Sequence, residues 1–246
     1  NPISKLLSDV YNDYLNQRIN KKPFARIVGA REFWGIPFAL NAATLEPRPD
    51  SETVVEMALA CWNKGGENRC VADLGTGTGC LLISFLKETD FELGIGVDID
   101  AAALQCAFDN ARTQAESRFR AVQGNWLDPF APESLDFVLC NPPYLRYKER
   151  PDLQREVRDF DPEKALFSGA DGLEAYRRIA SALPSVLKPG GRAVFEVGAG
   201  QAEAVLQIFA AQGLPGLGQR KDLGGHIRAV AVQKAGDKFC GPAISP

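Results

Sequence analysis

Histidine is scarce in this sequence, since His226 is the single imidazole among 246 residues. A zinc site with several histidine ligands is therefore excluded, and a Ser-His-Asp hydrolase is disfavoured. His226 is also far from the motifs described below, so we expect no catalytic role for it. The sequence predicts a protein without a bound metal ion.

Cysteine pairs and long apolar runs are also missing. None of the six cysteines forms a C-x-x-C pair, and most lie in apolar stretches, where a free thiol behaves as a small hydrophobe. No signal peptide is visible and no apolar run reaches transmembrane length. We therefore expect reduced thiols, a cytoplasmic location and no membrane partner. The cysteines are Cys61, Cys70, Cys80, Cys106, Cys140 and Cys240.

The sequence has no excess of positive charge. Its 28 lysines and arginines face 31 aspartates and glutamates, and the isoelectric point is about 5.4. Proteins that grip long nucleic acids neutralise phosphates with clustered basic residues, so direct nucleic-acid binding is not expected. The apolar fraction of 45% is ordinary for a globular protein with a sizeable core.

From Arg69 onward, the sequence alternates between short apolar runs and helical patterns. This alternation predicts an α/β fold with a parallel, doubly wound sheet, and a final antiparallel pair would make the sheet mixed. The predicted strands are Cys70–Asp73, Leu93–Asp98, Phe119–Gln123, Leu135–Cys140, Ala193–Val197, Gly218–Leu223 and Ile227–Gln233.

Helical spacing of apolar residues defines the other elements. Residues 3 to 15 form an amphipathic pattern, residues 17–49 read as loops and short strands, and Lys188 to Gly191 should end a helix. We place a domain boundary at residue 49, so that residues 1–49 precede a larger domain of residues 50–246. The predicted helices after that boundary are Asp50–Trp62, Gly79–Lys87, Ala101–Arg112, Gly172–Leu187 and Gln201–Gln212.

A glycine-rich loop follows the first strand of the larger domain, in the stretch VADLGTGTGCLL from Val71 to Leu82. Gly75, Gly77 and Gly79 let the backbone approach a ligand at the carboxyl edge of the sheet. Their G-x-G-x-G spacing differs from the G-x-G-x-x-G spacing of dinucleotide-binding loops. The G-x-G-x-G variant suits a ligand without pyrophosphate. Asp98 ends the next strand, where a carboxylate can accept hydrogen bonds from both hydroxyls of a ribose.

The fourth of these strands ends abruptly in Asn141-Pro142-Pro143-Tyr144. The prolines stiffen the turn and leave their carbonyls free to accept hydrogen bonds. Asn141 Oδ1 and the Pro142 carbonyl therefore provide two acceptors, and Tyr144 offers a flat aromatic face. This combination fits a planar NH2 group whose nitrogen must be turned toward an electrophile.

The motifs DLGTGTG, GVDID and NPPY together resemble the S-adenosylmethionine-dependent amino-methyltransferases. The stretch REFWGIPFALNAATLEPRPDSE narrows the resemblance to the peptide chain release factor glutamine N5-methyltransferases, the HemK/PrmC family. The stretches DFDPEKALFSGADGLEAYRRI and KDLGGHIRAV are similar to further segments of that family. The resemblance covers residues 17 to 234 and implies a Rossmann-like sheet of seven strands.

The resemblance implies roles for individual residues. The loop residues should hold the methionine end of S-adenosyl-L-methionine, Asp98 its ribose and Trp126 its adenine. Asn141, Pro142, Pro143 and Tyr144 should bind the substrate glutamine, with Asn141 and Pro142 as the catalytic pair. Asn141 should also contact the cofactor. The loop comprises Gly75, Thr76, Gly77, Thr78 and Gly79.

The sequence departs from the family pattern at three points. Asn125 stands where an acidic residue is usual, and Ser51 replaces the usual threonine of the R-P-D-T-E motif. The longer amino-terminal helical bundle of the family, which helps to grip the release factor, is represented only by the helix near residues 3 to 15. For Arg48 and Glu52 two interpretations stay open: a structural ion pair, or groups that close the site over the cofactor.

The function implied is methyl transfer from S-adenosylmethionine to the side-chain amide nitrogen of the glutamine in the Gly-Gly-Gln motif of release factors. Two other methyltransferase reactions remain open, on adenine N6 and on a glutamine of a ribosomal protein. A non-catalytic scaffold that binds the cofactor is the alternative from another class. The acidic isoelectric point disfavours a nucleic-acid target, and an intact NPPY motif disfavours the scaffold.

Overall fold

The computed structural model describes residues 2–62 and 69–236. Cys240, one of the predicted free thiols, lies outside the described residues. The helices are α1 (Pro2–Ile19), α2 (Phe24–Val28), α3 (Glu52–Cys61), α4 (Cys80–Glu88), α5 (Ala101–Thr113), α6 (Arg155–Arg158), α7 (Glu174–Val186) and α8 (Ala202–Ala210). The strands are β1 (Ala30–Phe33), β2 (Ile36–Ala39), β3 (Cys70–Leu74), β4 (Leu93–Asp98), β5 (Phe119–Gln123), β6 (Leu135–Cys140), β7 (Leu187–Glu196), β8 (Gly216–Lys221) and β9 (Ile227–Gln233).

Seven strands form one mixed sheet in the order β5-β4-β3-β6-β7-β9-β8. Strands β3 to β7 are mutually parallel, and β9 runs antiparallel to both β7 and β8. The strand order reverses between β3 and β6, and ligands of such sheets bind at the carboxyl ends of the strands near this reversal. The predicted α/β, Rossmann-like sheet of seven strands with a closing antiparallel hairpin is confirmed.

Both faces of the sheet are buried, because alternate side chains of the same strand enter different cores. In β6, Phe137 lies in the core beneath α3 to α5, whereas Val138 lies in the core beneath α7 and α8. Phe137 stacks on Phe85 of α4 at 5.2 Å between ring centroids. Burying one such ring contributes about 1.5–3 kcal/mol, and the two cores fix the strand ends that carry the site.

The prediction of loops and short strands for residues 17–49 is partly wrong. Helix α1 extends to Ile19, and the short helix α2 lies between Pro23 and Gly29. Gly29 ends α2 in the left-handed conformation, at φ 78°. Proline before a helix and glycine after it are ordinary helix boundaries. Because only five residues separate Pro23 from Gly29, the same two residues are also typical of a loop, and the helix was not predicted.

The hairpin of β1 and β2 packs on the larger domain. Phe33 and Phe38 are buried in the same core as α3 and α4, and the Trp34 amide donates to the Glu52 carboxylate at 2.8 Å. The domain boundary at residue 49 stays a prediction, and this packing shows that residues before it contribute to the core of the sheet.

Strand β7 begins earlier than predicted. Leu187 pairs with Leu135, but the next pair along the strands is Arg192 with Phe137. The intervening residues, which include the positive-φ Gly190, form an irregular bulge. The predicted helix stop at Lys188 to Gly191 is correct, but these residues lie within β7 rather than in a loop.

Candidate active site

The glycine loop follows β3 and leads into α4. Gly75, Gly77 and Gly79 have φ values of 71°, 54° and 79°, all in the left-handed region that side chains disfavour. The amides of Gly75 and Thr76 both donate to the Val97 carbonyl at 2.9 Å. The loop is therefore fixed to the neighbouring strand β4, and its curvature depends on the glycines.

Asp73 supports this loop from inside the protein. Its Oδ2 accepts a hydrogen bond from Thr76 Oγ1 at 2.7 Å, and its Oδ1 is buried without a hydrogen-bond partner among the described residues. Burial raises the pKa of the Asp73 carboxyl to about 7, although the Thr76 hydrogen bond lowers it in part. The sequence pattern did not single out Asp73 as a site residue.

Asp98 lies at the end of β4, directly opposite the loop. Its Oδ2 accepts from the Gly77 amide and its Oδ1 from the Asp100 amide, each at 3.0 Å. Burial raises the pKa of this carboxyl, and the two backbone amides oppose the rise. These contacts hold the carboxylate at the wall of the cavity described below.

Trp126 completes this side of the site. Its backbone has φ 56°, a conformation that is costly for a bulky residue. A Cβ added to Gly75 would lie 3.4 Å from the Trp126 ring. The indole therefore lies in van der Waals reach of the glycine loop, and functional sites often contain such strained residues.

The Asn-Pro-Pro-Tyr turn follows β6 at the same edge of the sheet. Asn141 Nδ2 donates to Ser51 Oγ at 3.2 Å, and the Tyr144 hydroxyl donates to Glu196 Oε1 at 3.3 Å. Pro142 is buried, and the Tyr144 carbonyl accepts from Gln201 Nε2 at 3.0 Å. The turn is held by Ser51 at the N-terminus of α3, by Glu196 of β7 and by Gln201 before α8.

A cavity of about 390 Å³ brings most of the predicted site residues together. It is lined by Gly75, Thr76, Gly77, Thr78, Asp98, Trp126, Asn141 and Pro143, whereas Gly79, Pro142 and Tyr144 do not line it. Gly79 begins α4 and faces Ile83 and Ala107. The Tyr144 ring packs on the core beneath α7 and α8, so its predicted contact with substrate stays a prediction.

Two further segments line the cavity, and of their residues only Arg48 had been considered from the sequence for a place at the site. The first lies before α3 and contributes Glu46, Arg48 and Ser51; the second follows α6 and includes Lys164 and Phe167. Both segments lie within stretches that resemble the family, and this resemblance was the feature of the sequence that could have pointed to them as parts of the site. Asn125 also lines the cavity, next to Trp126.

Arg48 and Glu52 do not form the ion pair that one interpretation suggested. Arg48 donates to Asp161 Oδ2 at 2.6 Å, and Glu52 accepts the backbone amide of Trp34. Arg48 lines the cavity and Glu52 does not. The interpretation of Arg48 and Glu52 as an ion pair is therefore wrong, because the carboxylate that binds Arg48 is that of Asp161.

No group of three or more histidine, cysteine, aspartate or glutamate side chains is placed to hold a metal ion within residues 2–62 and 69–236. In the same ranges, no helix is both long and apolar enough to span a membrane.

Comparison with known proteins identifies relatives over most of the chain. The Methyltransferase small domain model matches residues 55–157. A release factor glutamine methyltransferase of Cereibacter sphaeroides is 40% identical over 220 residues, which cover 89% of this chain and 77% of that protein. The enzyme of the same description from Bradyrhizobium diazoefficiens is 40% identical over 233 residues, covering 90% and 75%.

A solved structure supports the fold independently. The crystal structure of a methyltransferase from Pyrococcus furiosus aligns with a TM-score of 0.59 at 15% identity, covering 82% of this chain and 90% of that one. Sheet, glycine loop and cavity together define a Rossmann-like methyltransferase. At 40% identity over most of its length, the chain belongs to the release factor glutamine methyltransferase family.

Proposed function

We propose that this chain transfers a methyl group from S-adenosyl-L-methionine to the side-chain amide nitrogen of the glutamine in the Gly-Gly-Gln motif of peptide chain release factors. The observation that carries the proposal is the shared cavity of the glycine loop, Asp98 and Asn141. This cavity brings a candidate cofactor site and the Asn141 amide, a candidate acceptor for an NH2 group, to one edge of the sheet. The relatives named for this activity support the choice of substrate.

The residues present fit S-adenosylmethionine. The backbone of the glycine loop can approach the methionine end, and Asp98 can accept from the ribose hydroxyls. Trp126 offers an aromatic face to the adenine, and the Asn125 amide can accept from adenine N6 without charge. When bound, the cofactor supplies an electrophilic methyl group on a sulfonium. A cavity of about 390 Å³ is in the range of small-molecule sites.

The substrate amide would be held at the Asn-Pro-Pro-Tyr turn. Asn141 Oδ1, at the cavity, would accept one N–H group and so help to turn the nitrogen lone pair toward the methyl group. The Pro142 carbonyl is the second acceptor that the sequence predicts, although Pro142 is buried and does not line the cavity. An amide nitrogen is a poor nucleophile, so positioning supplies most of the rate. As the C–N bond forms, the C–S bond breaks and sulfur keeps its electron pair, while the nitrogen releases one proton to water.

Recognition of the whole release factor would involve the amino-terminal region. Leu7, Tyr11 and Ile19 of α1 are each about two-thirds exposed, at 65%, 66% and 66%. We assign residues 1–49 a part in binding the protein substrate and residues 50–246 the chemistry. Such exposed apolar side chains are typical of protein interaction surfaces.

The direct test is incubation of the chain with a release factor and isotopically labelled S-adenosylmethionine, followed by peptide mapping. Label on the Gly-Gly-Gln glutamine supports the proposal, and a release factor with alanine at that position serves as the control. Label on a ribosomal protein or on adenine in place of the release factor would establish one of the alternative substrates. Cofactor binding without transfer to any of them would identify a scaffold.

Calorimetry tests the cofactor separately. The chain should bind S-adenosylmethionine and its demethylated product but not NAD, because the loop lacks dinucleotide spacing. Tight binding of NAD without a response to the methyl donor would overturn the cofactor assignment.

A further inference from the structure

Two residues outside the Asn-Pro-Pro-Tyr turn, Ser51 and Glu196, contact its Asn141 and Tyr144 side chains, and the mechanism above gives these two residues no role. Ser51 and Glu196 are 3% and 2% exposed, so these polar groups are enclosed by protein. Buried polar groups are costly unless they are hydrogen-bonded, and a cluster of them beside a reacting centre requires a reason.

Ser51 departs from the usual behaviour of a serine at its position. It is the N-cap residue of α3, where a serine side chain ordinarily accepts a hydrogen bond from the backbone amides of the first turn. Here the Ser51 side chain makes no capping bond. It instead accepts a hydrogen bond from Asn141 Nδ2 at 3.2 Å.

Glu196 explains why the Ser51 hydroxyl accepts at this bond. A hydroxyl can accept or donate, so its own proton must be held elsewhere if it is to accept from Asn141. The Ser51 side chain lies near the Glu196 carboxyl and lowers its pKa in part. The Tyr144 hydroxyl donates to Glu196 Oε1, while Glu196 Oε2 is buried and has no hydrogen-bond partner among the described residues. An ionised carboxylate only accepts, so a small rotation of the Ser51 hydroxyl would give its proton to Glu196 Oε2 and leave the serine oxygen to Asn141.

The orientation of the Asn141 amide follows from this chain of bonds. The two ends of an asparagine amide are alike in shape, and the hydrogen-bond network decides which end points where. With Nδ2 committed to Ser51, the oxygen Oδ1 makes no hydrogen bond within the described residues and is available at the cavity. A flipped amide would offer N–H groups to the substrate N–H groups and could not hold them.

We propose that Ser51 and Glu196 are positioning residues that hold the Asn141 amide with its oxygen toward the substrate nitrogen. This inference rests on the proposed function, since it specifies how the amide-binding group of that reaction is set. It predicts that loss of Ser51 or Glu196 acts through Asn141 and spares cofactor binding.

Steady-state kinetics with a Gly-Gly-Gln peptide test whether methyl transfer depends on the orientation of the Asn141 amide. Ser51→Ala should lower kcat roughly tenfold, the factor that one net hydrogen bond is worth, with little change in the Kd of S-adenosylmethionine. Ser51→Thr keeps the hydroxyl and should retain kcat within about threefold. In an Asn141→Ala background, Ser51→Ala should have no further effect, because the two residues act as one unit. An equal loss in both backgrounds would show that Ser51 acts on its own and would overturn the proposal.

Ser84→Ala is the matched control. Ser84 is likewise buried, in α4, and its hydroxyl has no hydrogen-bond partner among the described residues. Its loss should leave kcat near the parent value. A fall in kcat equal to that of Ser51→Ala would mean that loss of any buried hydroxyl disturbs the enzyme, and the proposal would fail.

A pH profile separates positioning from a merely structural role. Burial raises the pKa of Glu196 to about 7. Protonated Glu196 can donate to Ser51 and compete with Asn141, so kcat of the parent should fall below that pH. Glu196→Gln should remove this fall, whereas an unchanged profile would count against Glu196. The other titratable groups facing Glu196 are Tyr144, Tyr176, Arg228, Asp50, Cys80 and Cys140.

NMR of the side-chain amide tests the inference without any methyl transfer. The Asn141 NH2 resonances, assigned by their loss in Asn141→Asp, should shift and exchange faster with water in Ser51→Ala but not in Ser84→Ala. If the parent methylates no Gly-Gly-Gln peptide yet these signals respond as expected, the proposed function fails and the positioning stands. If the Asn141 NH2 resonances are the same in the parent and in Ser51→Ala, the proposed positioning by Ser51 is wrong even if the enzyme is active.

Discussion

Arg48 Nη2 lies 2.6 Å from Asp161 Oδ2, and this ion pair joins the segment before α3 to the segment after α6. Both segments line the cavity. Asp161 is almost fully buried and binds a second guanidinium, that of Arg26, also at 2.6 Å. One carboxylate therefore holds two walls of the site against the amino-terminal region.

Asp161→Asn should destabilise the fold. The substitution keeps the shape but leaves Arg26, only 7% exposed, without its counter-charge. Removing one partner of a buried ion pair costs about 3–5 kcal/mol, so urea unfolding should shift to markedly lower concentration. The affinity for S-adenosylmethionine should fall as well, because both cavity walls lose their common anchor.

Asp159→Asn is the comparison for that experiment. Asp159 also binds two arginines, Arg155 and Arg158, but on the surface. Solvent screens exposed ion pairs and leaves them little net effect on stability, so the unfolding midpoint of this variant should barely move. Equal unfolding midpoints for Asp161→Asn and Asp159→Asn would contradict the expectation that the buried ion pairs of Asp161 stabilise the fold.

Asp98→Ala should weaken cofactor binding without abolishing the chemistry. Hydrogen bonds to a charged group are worth about 1.5–3 kcal/mol, and those of Asp98 to a ribose are present before and during methyl transfer. The Kd for S-adenosylmethionine should rise, and kcat should largely recover at saturating cofactor. Calorimetry and steady-state kinetics check this; a kcat that stays low at saturation would place Asp98 in the chemical step.

Asn141→Ala should show the opposite pattern. Its amide is proposed to orient the glutamine nitrogen, so the loss appears as the methyl group moves. We expect most of the cofactor affinity to remain and kcat to fall by on the order of a hundredfold or more, with no rescue by excess cofactor. A variant that methylates a release factor near the parent kcat would refute the role of the Asn-Pro-Pro-Tyr turn.

The sequence was sufficient to place the main site residues because each follows a strand. The glycine loop, Asp98 and Asn141 end β3, β4 and β6, and the carboxyl ends of parallel strands share one edge of a sheet. That inference needs only the strand pattern. It could not show that Pro142 and Tyr144 lie behind the cavity wall, because a turn's direction depends on its packing.

The supporting residues were beyond such reasoning. Ser51 stood out only as a replacement for threonine in the R-P-D-T-E motif, and Glu196 lay within a predicted apolar strand. Their proximity depends on the packing of α3 against β7 and β9. Likewise, the sequence alone does not indicate which arginines bind Asp161. Their identity, Arg26 and Arg48, follows from the packing of the folded chain.

The stability of the protein should depend on pH through Glu196. Burial raises the pKa of this carboxyl from 4.5 to about 7 in the folded protein. Between these values the folded state holds a proton that the unfolded chain has released. The resulting stabilisation is fully present below pH 4.5 and is lost as pH rises through about 7, which amounts to roughly 3 kcal/mol.

Glu196→Gln should remove this contribution, since an amide does not ionise. Relative to the parent, the variant should therefore be more stable at pH 8 than at pH 5, as measured by urea unfolding at both values. Glu203→Gln, a change of an exposed residue in α8, is the control and should shift both measurements equally. A difference between parent and Glu196→Gln that is the same at pH 5 and pH 8 would show that Glu196 has the same pKa in the folded and unfolded states.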